Sequence, residues 1–228
     1  MQSVNKFTFL MKGEPKRARK ITRHSPWIVD EGKYLSVSEL DKVMIAANEL
    51  KRHGIHNRQF AHVRHWFMIA LALNTGLRVS EMASLRHKNL LIDQERSSII
   101  VLGKGNKKRL IWISQKFIKT CQDFIAFKTS YGYETTPDSP LLNNLNGDQI
   151  SKRSLQKDFK AIIAMAGISS HYSIHCLRHT YATFLLKASN NNYRFVQNQL
   201  GHASIRTTQV YAGVLETEGR KAIEKIYT

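Results

Sequence analysis

The feature that most limits how this chain can fold is a nearly unbroken apolar segment over residues 58–74, "RQFAHVRHWFMIALALN". A helix that is apolar on almost every face must be buried on almost every face, so we expect it at the centre of a domain. Thr75 and Gly76 end it. Its longest apolar run, Trp66–Leu73, is far shorter than the roughly 20 residues of a membrane-spanning helix. We therefore expect a protein interior around this helix, and no membrane.

The segments around this helix predict more helices and one short stretch in which the spacing of apolar residues changes from helical to strand-like. Ser36 and Glu39 fit a capping box ahead of a helix through about Arg52. Residues 89–114, "NLLIDQERSSIIVLGKGNKKRLIWIS", are typical of two or three short strands with a glycine-rich turn at 103–108. Further helices are predicted at 80–85, 114–127, from a Ser151 cap to about 166, 174–188, 193–200, 205–211 and 219–226, with a loop at 130–150. The predicted fold class is mainly α with a small antiparallel β-sheet (α+β).

The charge of the chain points to its partner. Lys and Arg number 35 against 17 Asp and Glu, which gives a formal net charge of +18. Such an excess repels itself in a compact fold unless a polyanion shares the surface. Nucleic acid is the expected polyanion, because binding it releases counterions. An anionic membrane ranks behind it, since the aromatic residues form no basic amphipathic stripe.

Composition also suggests the organisation of the chain and its compartment. Residues 1–33 are predicted to form a flexible basic arm, with a simple solubilising tail as the alternative, and residues 34–228 form the folded domain. The two cysteines, Cys121 and Cys176, make no disulfide framework. A reducing cytoplasm is therefore the expected compartment.

One predicted helix carries an unusual set of polar residues in "SIHCLRHTYATFLL". His175 and Arg178 are three residues apart and share a face, an arrangement that suits an anionic ligand. His171, His175 and His179 recur at four-residue steps beside Cys176, so a zinc site is the alternative. Arg178 would repel the metal, and no further ligands complete a shell. We therefore expect neither a metal nor a cofactor.

Three other stretches could carry chemistry. In "NTGLRVSEMASL", Arg78 and Glu81 predict a charged fork at a helix entrance deep in the fold, or else a purely structural ion pair. In "GKGNKKR", Lys104 sits at a glycine-rich hairpin tip, where a merely solvated lysine is the alternative. In "LGHASIRTTQVY", a turn at Gly201 and His202 precedes Tyr211, which is either a buried aromatic or a nucleophile.

Taken together, these stretches suggest phosphoryl transfer, because arginine grips two phosphate oxygens at once and stabilises charge in the transition state. Arg78 in "TGLRVSE", Lys104 in "GKGNKKR", the pair His175 and Arg178 in "HCLRHTYAT", and "LGHASIRTTQVY" follow one another in the chain. In order and spacing they resemble the tyrosine recombinase (phage integrase) family over about residues 35–228. The resemblance implies the fold of that family's catalytic domain.

The resemblance implies how such residues act on DNA. Tyr211 would attack a phosphorus atom and form a 3′-phosphotyrosyl link. Arg78 and Arg178 would clamp the nonbridging oxygens, and Lys104 would protonate the departing 5′-oxygen. Another strand's 5′-hydroxyl could then reverse the step without a metal ion or ATP.

The remaining residues of the set would support these. His175 would hydrogen-bond to the phosphate and help manage the tyrosine proton, and His202 would contact the phosphate. Glu81 matches the family's acidic residue that supports the first arginine. His179 matches a histidine that frequently stands behind the phosphate contacts.

The resemblance also implies an assembly on double-stranded DNA. We expect a monomer when free and a homo-tetramer on synapsed sites, located on the nucleoid, with possible accessory DNA-bending proteins. The tail, residues 211–228, contains Leu215, Ala222, Ile223 and Ile226 on one face of a short helix. It is predicted to dock on a neighbouring subunit, with docking on its own domain as the alternative.

One departure from the family concerns the N-terminal side. Typical members carry a core-binding domain there that closes a clamp around DNA, whereas about 33 residues precede the catalytic part here. The chain is either a complete short recombinase, like those that invert fimbrial promoters, or a truncated one. Chemistry is thus better supported than strong autonomous DNA binding. The alternatives are a non-catalytic DNA-binding protein, a type IB topoisomerase-like enzyme and a basic RNA-binding protein.

Overall fold

The computed structural model describes residues 33–92, 97–103, 108–202 and 208. The basic arm up to residue 32, Lys104, Tyr211 and the tail lie outside the described residues. The predictions made for them, including the helices at 205–211 and 219–226, stay predictions.

Seven α-helices and three strands are found in the described part of the chain. The helices are α1 (Val37–His56), α2 (Phe60–Thr75), α3 (Val79–Ser84), α4 (Gln115–Ser130), α5 (Lys152–Met165), α6 (His175–Ala188) and α7 (Tyr193–Leu200). The strands are β1 (Leu90–Leu91), β2 (Ser98–Leu102) and β3 (Lys108–Trp112), with a short 3₁₀ helix at His87–Asn89 before them. The predicted fold class, mainly α with a small antiparallel sheet, is confirmed.

Helix α2 lies at the centre, as its apolar sequence predicts. Most of its side chains are buried, and it packs against α1, α4, α5 and α6. The ring of Phe67 stacks on Phe124 of α4 with centroids 3.8 Å apart. None of the described helices is long and apolar enough to cross a membrane.

Helix α1 begins as its capping box requires and extends further than predicted. Ser36 Oγ accepts from the Glu39 N–H at 3.3 Å, and the Glu39 carboxylate accepts from the Ser36 N–H at 2.9 Å. The helix continues past Arg52 to His56. Gly54 lies inside it because a Cβ there would stand 2.9 Å from the Gln59 carbonyl oxygen, at the start of α2.

The small sheet connects α3 to the last helices. Its order is β1-β2-β3, all antiparallel, with Ile99 opposite Ile111 and Val101 opposite Arg109. Ile99, Val101 and Ile111 face the core. At the end of β3, the Gln199 side chain of α7 donates to the Trp112 carbonyl at 2.7 Å and accepts from its N–H at 3.2 Å. These two bonds fix α7 against the sheet.

Candidate active site

Arg178 joins the ends of two helices. Its side chain is buried, with 6% of the residue exposed. Nη1 donates to the Gly76 carbonyl at 2.5 Å and Nη2 to the Leu200 carbonyl at 2.8 Å, just beyond the end of α2 and at the end of α7. Helix C-termini carry partial negative charge, so a guanidinium is stabilised between them. The bonds fix its position on α6.

The turn after α2 requires a glycine. Gly76 has a φ of +62°, a left-handed conformation that ends the helix. A Cβ there would come within 2.4 Å of the Tyr181 ring and 2.7 Å of the Leu200 side chain. The backbone can therefore approach α6 closely, and Arg78 follows two residues later.

Arg78 and Glu81 form the predicted ion pair, but a second arginine completes it. Arg78 Nη1 donates to Glu81 Oε1 at 3.0 Å, and the Arg78 N–H donates to Oε2 at 2.8 Å. Arg109 of β3 donates to both oxygens, Nη1 to Oε1 at 2.8 Å and Nη2 to Oε2 at 3.0 Å. Although burial alone would raise the pKa of Glu81, these bonds and charges hold it below its usual value. Glu81 is thus an ionised, buried anchor for two arginines.

The expectation that the whole fork lies deep in the fold is wrong for Arg78. Glu81 is 5% exposed, whereas the Arg78 side chain is 39% exposed. Arg78 lines a cleft of about 450 Å³ together with Ser80, Ser84, Leu102 and Gly103. An arginine that supports a fold from within would be covered, so its exposure at a cleft fits contact with a ligand.

His202 follows the left-handed Gly201 that ends α7. Its N–H donates to the Gln197 carbonyl at 3.1 Å, and its own carbonyl accepts from Gln197 Nε2 at 3.1 Å. Its ring Nδ1 lies 3.0 Å from the Thr208 hydroxyl oxygen. Thr208 is fully buried and stands three residues before Tyr211 in the sequence. Thr208 therefore contacts His202 from within the same motif as the predicted nucleophile.

Burial and the neighbouring charges keep His202 neutral. Burial, followed by Arg178, Arg78, His179 and Arg109, lowers its pKa to about 3. A neutral imidazole has one N–H donor and one acceptor nitrogen. If Nδ1 accepts from Thr208, Nε2 carries the proton and can donate to a phosphate oxygen.

Helix α6 presents its two predicted histidines differently. His175 is the first residue of the helix and is exposed. His179 is half-buried one turn later, and burial, Arg178, His175 and Lys33 lower its pKa to about 4. The contrast matches a ligand contact for the first residue and a supporting position for the second.

The prediction that His171, His175 and His179 recur along one helix, where they could bind zinc, is wrong, because α6 begins at His175. His171 lies before the helix, against the ring of Tyr172 and 2.8 Å from the Ser169 hydroxyl. No group of three His, Cys, Asp or Glu residues in the described part of the chain is placed to hold a metal ion.

Five of the predicted site residues converge, His175 is exposed at the start of α6, and Lys104 and Tyr211 lie outside the described part. Arg78, Glu81, Arg178, His179 and His202 come together where α2, α6 and α7 meet. The cleft beside Arg78 is bounded by Leu102 and Gly103, immediately before Lys104 in the sequence.

Sequence reasoning missed Arg109 and Thr208. Both lie within motifs that were recognised, "GKGNKKR" and "RTTQVY". Arg109 lies between exposed neighbours on β3. Because side chains alternate between the two faces of a strand, this period could have predicted that the Arg109 side chain points inward. Thr208 carries no such signal, since a threonine in the sequence does not reveal a contact with a histidine six residues away.

The sequence of this chain is similar to those of known proteins. A family model described as the phage integrase family matches residues 33–218. The chain belongs to the phage integrase family. Among curated members, tyrosine recombinase XerC of Proteus mirabilis is 34% identical over 195 residues, covering 86% of this chain and 57% of its own length. Tyrosine recombinase XerD of Rhizobium meliloti (strain 1021) is 34% identical over 208 residues, with 89% and 60% covered. This integrase-family chain thus spans about three fifths of these two relatives.

Solved structures share the fold. The XerH site-specific recombinase, in a post-cleavage complex with palindromic difH substrate, superposes with a TM-score of 0.70 at 24% identity, covering 86% of this chain and 53% of XerH. The XerA recombinase gives 0.65 at 21% identity, with 92% and 66% covered. The integrase-family chain therefore has the tyrosine recombinase catalytic-domain fold.

Proposed function

We propose that this chain is a site-specific DNA recombinase that cuts and rejoins double-stranded DNA through a 3′-phosphotyrosyl intermediate. The observation that carries the proposal is that Arg178 and Arg78 lie around the neutral His202, with Arg78 lining a cleft. Thr208, three residues before Tyr211 in the sequence, contacts His202. Family membership, relatives named as tyrosine recombinases, and the net charge of +18 support it.

In the proposed step one bond to phosphorus forms as another breaks. The Tyr211 oxygen forms a bond to phosphorus while the bond from phosphorus to the 5′-oxygen breaks. The tyrosine hydroxyl gives its proton to His175, and Lys104 gives a proton to the departing oxygen. Arg78 and Arg178 neutralise the nonbridging oxygens, and His202 donates a hydrogen bond to one of them. Such preorganised donors are typically the largest contribution to catalysis of this kind.

The reverse step uses no external energy. The phosphotyrosine keeps the energy of the broken phosphodiester, so a 5′-hydroxyl from a second strand can displace the tyrosine. Exchange of strands between two sites then needs several active sites at once. We propose a homo-tetramer on two synapsed sites, acting on nucleoid DNA, and a monomer in its absence.

The test uses double-stranded DNA with a nick beside the scissile phosphate, so that the short 5′ fragment diffuses away and traps the adduct. The XerH site-specific recombinase is bound to a palindromic difH substrate, so a dif-like duplex is the first probe. Denaturing gels should reveal protein linked to DNA. Tyr211→Phe should abolish the link and leave DNA binding nearly unchanged, because it removes only a hydroxyl.

Tyr181→Phe is the matched control and should form the adduct. Burial raises the pKa of Tyr181, and its hydroxyl accepts from Gln199 at 3.3 Å, so it is a poor nucleophile. Binding without any adduct, on this or selected sites, would favour a non-catalytic DNA-binding protein. Relaxation of supercoils by a single subunit without recombinant junctions would favour a type IB topoisomerase-like enzyme.

A further inference from the structure

Arg109 belongs to this site but takes no part in the proposed chemistry. It lies on β3, 28 residues from Glu81, and its side chain is 13% exposed. Its two terminal nitrogens both point at Glu81, so it holds a carboxylate rather than a ligand. Glu81 thus has a second, bidentate arginine partner in addition to Arg78.

The number of hydrogen bonds that Glu81 can accept limits how it binds Arg78. An ionised carboxylate offers about four acceptor positions, two on each oxygen. Oε1 accepts from Arg78 Nη1 and Arg109 Nη1, and Oε2 accepts from the Arg78 N–H and Arg109 Nη2. All four positions are therefore occupied. Arg78 can give Glu81 only one of its guanidinium nitrogens.

We propose that Arg109 is a positioning residue that saturates Glu81, so that Arg78 keeps its remaining guanidinium donors directed at the cleft where the phosphate would bind. Without Arg109, one acceptor position opens on each oxygen. Arg78 would then take Glu81 with two nitrogens, the arrangement that arginine and carboxylate prefer. That would turn a phosphate ligand into a closed internal ion pair. The inference rests on the proposed function for the role of Arg78.

Arg109 also reaches the turn that carries His202. A Cβ on Gly201 would lie 2.7 Å from Arg109 Cδ and 2.8 Å from its Nε, so the arginine stem crosses directly over the glycine. Gly201 separates Leu200, whose carbonyl accepts from Arg178, from His202. One side chain from the strand that follows residues 104–107 thus contacts both the Glu81 anchor and the His202 turn.

The first test is structural and independent of activity. A crystal structure of Arg109→Met should show two guanidinium nitrogens of Arg78 within hydrogen-bond distance of Glu81, where there is now one. If Arg78 keeps its single side-chain bond and its exposure to the cleft, the inference is overturned. This result stands whether or not the wild-type protein forms an adduct, so it separates failure of this inference from failure of the proposed function.

The second test is kinetic and uses two substrates. One has a normal scissile phosphate and the other a neutral methylphosphonate, which needs less positive charge around it. Arg109→Met should slow single-turnover cleavage of the phosphate by about 100-fold, the scale expected for a misplaced catalytic contact. It should slow cleavage of the methylphosphonate much less. Equal slowing of both substrates would indicate general damage to the fold and contradict the inference.

A double substitution gives the sharpest reading. Glu81→Gln in the wild-type background leaves Arg109 buried without its anion, and such a broken pair is costly, so cleavage should fall. In the Arg109→Met background the same Glu81→Gln releases Arg78 and should raise cleavage several-fold. Lys108→Met, an exposed cation on the same strand, is the control and should leave the ratio of the two substrates unchanged. Additive losses in the double variant would refute the release of Arg78.

Discussion

Mild acid should destabilise this domain strongly, because three histidines are held neutral inside it. Burial and the neighbouring Lys128 lower the pKa of His87 to about 4. Burial and Arg178 lower the pKa of His179 to about 4 and that of His202 to about 3. In the unfolded chain each of these histidines titrates near its ordinary pKa of 6.5. The unfolded state therefore binds up to three more protons at weakly acidic pH.

The sign and size follow from proton linkage. The native pKa values are depressed, so the stability that they reflect is complete above about pH 6.5 and is lost as the pH falls toward 4. Between pH 7 and pH 5 each unfolded histidine gains nearly one proton, which costs the native state about 2 kcal/mol. Solvent screening at these partly exposed rings reduces the total for all three to about 3 kcal/mol. That is a large part of the roughly 5–15 kcal/mol that holds a domain together.

The assay is urea unfolding at several pH values between about 7 and 5, which gives the unfolding free energy and its slope with pH. His202→Gln should lower stability at neutral pH yet flatten the slope by about one proton. His56→Gln, at the exposed end of α1, is the control and should keep the full slope. An unfolding free energy that stays constant from pH 7 to pH 5 would refute the reasoning, as would an unchanged slope in the His202 variant.

Two further predictions concern residues outside the described part of the chain. Lys104→Ala should slow cleavage by about 10²–10⁴-fold, the usual worth of acid catalysis, and sulfur at the 5′-bridging position should restore the rate because it leaves without a proton; absence of that rescue would leave Lys104 a simple phosphate contact. Deleting the residues after Leu215 should weaken formation of recombinant junctions far more than binding to one half-site, as measured by gel shift, and wild-type recombination by the shortened protein would contradict exchange of the tail between subunits.

The sequence could predict those parts of the site that depend on nearby residues. Arg78 and Glu81 are three residues apart at the start of α3, and the capping geometry brings them together. The caps at Ser36 and Ser151 likewise follow from local hydrogen bonds. The central position of α2 followed from its apolar faces alone.

Contacts between distant residues could not be predicted this way. That Arg178 contacts a phosphate stays a prediction, while two backbone carbonyls that it contacts in the fold lie 102 and 22 residues away, and no residue type reveals them. Helix α4 runs past Phe127 to Ser130. Lys128 in that last turn is buried, with its Nζ 3.0 Å from His87 Nε2, and it donates to the Pro140 carbonyl. A lysine near a helix end reads as solvated unless the distant partners are known.

The two carbonyls that hold Arg178 bear on how the proposed DNA binding would begin. A buried guanidinium ordinarily keeps water or a counterion with it, and both would have to leave when a phosphate arrives. Here the C-terminal ends of α2 and α7 already replace part of that solvent. The arginine is thus dehydrated and oriented during folding, so the proposed reaction would need little rearrangement around it. The cost of dehydrating the cation falls on the stability of the domain, and in the proposed reaction the phosphate would meet a charge that is already in place.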